Sequence, residues 1–184
     1  EPDLVYTLLE PGQVSSAEAM YDPQLHDRVG REREADTDFA MFGFYIRNNT
    51  SIGFQTFVGG IVFGIGTIFF LLFNGLYIGA IAGHLTYIGY TSTFWGFVSG
   101  HSAFELTAIA LSGAAGLRIG MALLAPGSRT RRLALREAMG AGVRLMYGAA
   151  ALFVAAAFVE AFWSSIVDTP LLMKVWVGIA AWII

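Results

Sequence analysis

The chain contains no cysteine, and Lys174 is the only lysine among its eleven basic residues. Without thiols there is no disulfide framework, no cysteine nucleophile and no cysteine-ligated metal. No P-loop is present, which removes the usual means of hydrolysing a nucleoside triphosphate. Charged residues are scarce at 14% of the chain, well under the quarter or so found in soluble proteins. Three histidines, His26, His84 and His101, do not make the H-E-x-x-H pattern of a zinc hydrolase, and no G-x-S-x-G frames a serine nucleophile. A pI near 5.5, with no basic patch on a soluble segment, argues against a nucleic-acid partner. The expectation is a protein without enzymatic activity, metal or cofactor.

What the chain has in abundance is apolar residues, 55% of the total, and they are unevenly placed. Residues 1–50 carry ten acids and four arginines, whereas the remaining 134 carry four acids and seven bases. The division this suggests is a polar, acidic, extracytoplasmic or interfacial segment, 1–46, ahead of a transmembrane helical domain, 47–184. In the first segment, Ser15-Ser16-Ala17-Glu18 fits a capping box that opens a short helix to about Tyr21, and Asp22-Pro23 closes it. The stretch 28–34 is charge-dense, and the aromatic run 39–46 suits a membrane interface. No signal peptide opens the chain at Glu1, so an upstream helix is expected to deliver this segment across the membrane.

The fold expected for 47–184 is an all-α polytopic bundle with about five spans or re-entrant helices. The apolar runs are 51–73, 75–90, 102–125, 138–163 and 171–184, judged against the roughly 20 residues needed to cross a hydrocarbon core. Asn74-Gly75 reads as the turn between the first two, and 94–100 reads as an interfacial or re-entrant piece with Trp95 at headgroup level. Runs 75–90 and 171–184 are short for full crossings. Arg129, Arg131, Arg132 and Arg136 crowd one loop, 126–136, which the positive-inside rule places in the cytoplasm. Counting back from there puts residues 91–100 and 1–46 outside.

Glycines recur four apart: Gly60 and Gly64, then Gly75, Gly79 and Gly83, then Gly116 and Gly120. That spacing lets helix backbones approach where lipid provides no hydrophobic force between them. Close packing is the first expectation, and the triple run 75–79–83 is the candidate face for oligomerisation or movement. Ionisable residues in the spans form two layers. Arg118 and Arg144 fall near the inner leaflet, where a snorkelling guanidinium meets phosphate. His101, Glu105 and Glu160 fall near the outer one. His101 and Glu105 would share a helix face at spacing four, yet Ser102 to Glu105 is also a capping box that would leave His101 outside the helix. Arg47, Asn48, Asn49, Asn74 and His84 could complete a polar cluster with them.

The stretches Phe44-Tyr45-Ile46-Arg47-Asn48-Asn49, Phe57 through Gly64, Phe73-Asn74-Gly75-Leu76-Tyr77-Ile78-Gly79, Gly100-His101-Ser102-Ala103-Phe104-Glu105-Leu106 and Ser112-Gly113-Ala114-Ala115-Gly116-Leu117-Arg118 occur in one order. Together they resemble the stage II sporulation protein M family of bacterial membrane proteins, over about residues 40–180. The departure is Ser102, where the family pattern leads one to expect glycine. The resemblance implies a multi-span inner-membrane protein whose sporulation members assist cell-wall remodelling beside peptidoglycan-degrading partners. Relatives also occur in bacteria that do not sporulate.

The reading that follows is a non-enzymatic inner-membrane component of an envelope-associated complex. It would be in contact with membrane lipid and held as a homo-oligomer or in a hetero-complex with other envelope proteins. The runner-up is a transporter or channel, with Asn74, His84, His101, Glu105 and Glu160 lining a polar path. A third, a metal-dependent enzyme, would require zinc held by His84 and His101.

Overall fold

The computed structural model describes residues 4–24, 35–166 and 169–183, and the regular structure among them is entirely helical. The helices are α1 (Leu4–Leu8), α2 (Pro11–Tyr21), α3 (Ala35–Val58), α4 (Ile65–Tyr87), α5 (Thr91–Val98), α6 (Ser102–Leu124), α7 (Arg131–Val159) and α8 (Leu171–Ile183). A 3₁₀ turn, Gly59–Ile61, follows α3, and a π-helical turn, Glu160–Ser164, prolongs α7. Residues 28–34 and His26 lie outside the described residues.

Among the described residues, three helical stretches are long and apolar enough to cross a membrane: Ile65–Tyr87, Ser102–Leu124 and Arg131–Ser164. Helix α8 is apolar but has 13 residues, about 20 Å of rise against a core of about 30 Å. The expected run 51–73 is not one helix. It breaks at 59–64, where Phe63 (φ 51°) and Gly64 (φ 82°) adopt left-handed backbone, a conformation that glycine takes without strain and phenylalanine does not. Thr67 Oγ1 donates to the Thr56 carbonyl at 2.8 Å and ties the two sides of the break together.

Asn74-Gly75, expected to turn, lies mid-way in α4, so 75–90 is not a span of its own. A glycine inside a helix costs about 1 kcal/mol, too little to break 23 consecutive helical residues of mostly apolar character. Helix α3 likewise runs without interruption through Arg47, Asn48 and Asn49, with the aromatic run 39–46 inside it.

Two further helix starts differ from expectation. Helix α2 begins at Pro11 rather than at Ser15, because Pro11 occupies the first turn and the Gln13 side chain accepts the Glu10 N–H at 3.1 Å. Ser15 and Ser16 then donate to the Gly12 carbonyl from within the helix. Helix α7 begins at Arg131, capped by Thr130, whose Oγ1 accepts the Leu133 N–H at 3.3 Å. Arg131, Arg132 and Arg136 therefore stand on its first turns, not in a loop. Pro126-Gly127 does end α6, with Gly127 at φ 64°.

The chain divides into two compact units. One comprises 44–73 and 104–157. Its core is Ala108, Ile109, Ala149 and Phe153, with Ile52, Leu71, Leu111 and Leu152 against it. Glycines set how closely its backbones approach. A side chain at Gly60 would strike the Gly116 backbone, and one at Gly120 would strike Gly64. The two spaced pairs thus face each other, although Gly60 and Gly64 sit in the break after α3 and not on a helix face.

The other unit comprises the described residues of 1–43, 74–103 and 158–184. Here Val5 of α1, Leu9 between the two helices and Val14 of α2 are buried with Ile81, Leu85 and Phe94. Thr93 Oγ1 donates to the Tyr21 carbonyl at 2.6 Å, and the Tyr21 ring meets Phe94 edge-on. The N-terminal helices are thereby fastened onto α4 and α5. Trp95 is half-exposed and donates to Thr86 Oγ1 at 3.0 Å. By contrast, a Cβ at Gly75, Gly79 or Gly83 would meet nothing within 4 Å, so these three pack against no part of the described chain.

Candidate functional site

The turn 99–101, between α5 and α6, carries a histidine into an apolar interior. His101 is 4% exposed, and its imidazole meets the Phe97 ring edge-on at 5.4 Å. Its Nδ1 lies 3.3 Å from Ser164 Oγ, and its ring and the Glu160 carboxylate bring donor atoms within 4.8 Å of each other. Glu160 and Ser164 bound the π-helical turn. A π turn carries one more residue per hydrogen-bonded ring than an α-helix, re-aiming side chains, and such turns are frequent at functional sites.

Lys174 closes the cluster from α8. It is 5% exposed, and Nζ donates to the Ser164 carbonyl at 2.9 Å. A widened π turn leaves carbonyls available for such an outside donor, and the lysine takes one of them. The walls are tight. A Cβ at Gly100 would strike the Trp163 ring, one at Gly178 would strike the Ser99 carbonyl, and one at Gly96 would press on Leu171. The Ser99 hydroxyl is buried there without a hydrogen-bond partner among the described residues.

His101 lies in the turn before α6, outside the three apolar helices. Burial pushes its imidazole down from 6.5 to about 4, while a hydrogen bond to the Phe97 backbone acts in the opposite direction. The ring is therefore neutral at pH 7, one nitrogen donating and the other accepting. A neutral imidazole beside a carboxylate can relay a proton or ligate a divalent cation. Ser164 beside His101 has the residue types of a nucleophile and base, but the hydroxyl is fully buried. Ser102 does not act as the expected N-cap; it is the first residue of α6, and its hydroxyl lies 3.4 Å from the Ser99 carbonyl.

The rest of the expected cluster is distributed differently. His84 is 8% exposed, and its Nε2 lies 2.7 Å from Glu18 Oε1 of α2, with the Tyr6 ring against its imidazole. Asn48 and Asn49 belong to the other unit, where Asn48 Nδ2 donates to Asn49 Oδ1 at 3.1 Å. Asn49 is 2% exposed, while Arg47 is exposed and its carbonyl accepts the Ser51 hydroxyl. Asn74 stands within α4, half-buried, and Glu105 belongs to the unit of 104–157. Glu18, Ser164 and Lys174 are members that sequence reasoning missed. The available signal was Lys174 itself, a lone cation in an apolar run, which defaults to a functional hypothesis.

The motifs 44–49, 57–64, 73–79, 100–106 and 112–118 all fall in this helical frame. Comparison with known families gives a match to Stage II sporulation protein M over residues 5–165. The chain belongs to the stage II sporulation protein M family. No curated protein and no solved structure matches it. Family membership and the three apolar helices make it a multi-span membrane protein with an envelope-associated role.

Proposed function

We propose that the protein is a non-enzymatic, multi-pass component of the bacterial inner membrane that assembles with cell-envelope proteins of the wall-remodelling type. The observation that carries this reading is the family match across both compact units, from 5 to 165. The buried glycine contacts and the enclosed His101–Glu160–Lys174 cluster suit a rigid part better than a site open to substrate. In this reading the loop 125–130 and the arginines after it face the cytoplasm, and the acidic N-terminal segment faces outward and meets the partner. The open Gly75–Gly79–Gly83 face of α4 supports association with a second copy or another membrane helix.

Purification of the full-length protein from its host in native nanodiscs, followed by mass spectrometry, tests this. Stoichiometric recovery of wall-acting envelope proteins is the expected result. Recovery of the protein alone, across several membrane-extraction conditions, would overturn it. The imidazole–carboxylate pair beside a π turn favours one second reading, a proton- or ion-coupled path. Under it, Glu160→Gln abolishes flux in proteoliposomes while the fold persists; under the first reading there is no flux to lose.

A further inference from the structure

The unit of 44–73 and 104–157 carries a charged site of its own, cationic and open. Arg136, Gly140 and Arg144 recur at intervals of four on one face of α7. Arg118 of α6 joins them around an open groove of about 470 Å³, whose floor includes Gly140 and Ala141. A Cβ at Gly140 would meet nothing within 4 Å, so the space between the two α7 guanidiniums is clear. The single acid at the rim, Glu137, is engaged by Arg129 at 3.1 Å. Among the described residues, the guanidinium groups of Arg118, Arg136 and Arg144 have no hydrogen-bond or ion-pair partner.

Arg118 and Arg144 lie inside helices of membrane-crossing length and composition. Arg118 stands six residues before the end of α6 and Arg144 thirteen after the start of α7, about 9 and 20 Å along their axes. An arginine left facing hydrocarbon is costly, and a guanidinium is relieved of that cost by a phosphate, which it can grip with two parallel N–H donors. Leu117, Met121, Val143 and Tyr147 are exposed beside the arginines and offer apolar surface to acyl chains.

We propose that Arg118, Arg136 and Arg144 bind the phosphate of an anionic glycerophospholipid in the leaflet nearest the 125–130 turn, its acyl chains lying against α6 and α7. Charge selects the headgroup: three guanidiniums around one groove favour a lipid with net negative charge over a zwitterionic one, whose ammonium the site repels. The flanking apolar surface selects a lipid over a free phosphate.

The test uses the full chain in mild detergent, with native mass spectrometry for retention and thermal unfolding for stabilisation. Phosphatidylglycerol, phosphatidylcholine and inorganic phosphate are the three probes. Expected are retained phosphatidylglycerol adducts and a raised unfolding temperature, neither matched by phosphatidylcholine. Expected too is a fall in retention of roughly 10- to 30-fold in the Arg118→Gln/Arg144→Gln double variant. Equal retention of phosphatidylcholine overturns the proposal, as does undiminished retention by the double variant. Stabilisation by inorganic phosphate equal to that by the lipid overturns it as well, identifying a simple anion site. If the double variant does not fold, Arg118→Lys/Arg144→Lys keeps the charge and removes the fork. A several-fold loss of phosphatidylglycerol supports the site, and unchanged retention overturns it.

Discussion

Gly60 meets Gly116 backbone to backbone: a Cβ on the first would fall on the Gly116 carbonyl group, and one on the second would fall on the Thr67 hydroxyl and the Thr56 and Phe57 carbonyl oxygens. Backbone cannot rotate aside as a side chain can. Gly116→Ala should therefore destabilise the protein by about 1–3 kcal/mol, the usual range for overpacking, despite the better helix propensity of alanine. Gly75→Ala, where the new methyl meets nothing, should gain up to about 1 kcal/mol from that same propensity. Equilibrium unfolding in detergent compares the two, and equal stabilities would contradict the packing described.

The open glycine face of α4 gives a complementary expectation. A leucine at Gly79 has room within its own chain, so Gly79→Leu should leave helicity and monomer stability within about 0.5 kcal/mol, as exposed substitutions usually do. If the face joins copies or partners, the same change should shift the particle from its assembled mass to that of the monomer in light scattering. An unaltered assembled mass would remove the 75–79–83 face from the assembly.

The membrane-spanning character and the helix ends at Asp22-Pro23 and Pro126-Gly127 were legible in local composition and spacing, whereas the spacing of the glycines signalled close packing without saying that Gly60 and Gly64 meet Gly116 and Gly120. The break at 59–64 was not. Gly59-Gly60 sits in a continuous apolar run that reads as one span, whereas Asn74-Gly75 carries a turn signal that its helical surroundings override. The site was half legible. His101 and Glu160 stand out as ionisable residues in apolar runs, but the partners Glu18 for His84 and Lys174 for Ser164 depend on contacts 66 and 10 residues apart in sequence. Nothing in local periodicity encodes the first, and the second depends on a π turn that has no simple sequence signature.

The Glu18–His84 contact at 2.7 Å fastens α2 to α4 and leaves the Glu18 side chain 35% exposed. Because water competes for a half-exposed carboxylate, its loss should cost about 1 kcal/mol rather than the larger value of a sealed ion pair. Glu18→Ala should accordingly raise amide exchange across α1 and α2 about fivefold, while Ala149 and Phe153 in the other unit stay protected. Uniform acceleration through the whole chain, or none in α2, would show that the contact does not hold these helices in place.

His101 makes the stability depend on pH. Its folded value of about 4 lies below the ordinary 6.5 because burial disfavours the imidazolium, so between those two values the unfolded chain binds the proton and the folded chain does not. This contribution to stability is complete above pH 6.5 and declines as pH falls from there toward 4. His101→Asn keeps a hydrogen-bonding side chain of similar reach and cannot titrate. Thermal unfolding measured from pH 7.5 to 4.5, values chosen to bracket the range roughly, should show a falling midpoint for the native chain and a shallower slope for the variant. The variant should be less stable at pH 7 through its altered contact with Ser164, so it is the slope that tests the assignment. An identical slope would mean that His101 binds its proton in the fold as it does in the unfolded chain, and the lowering by burial would have to be abandoned.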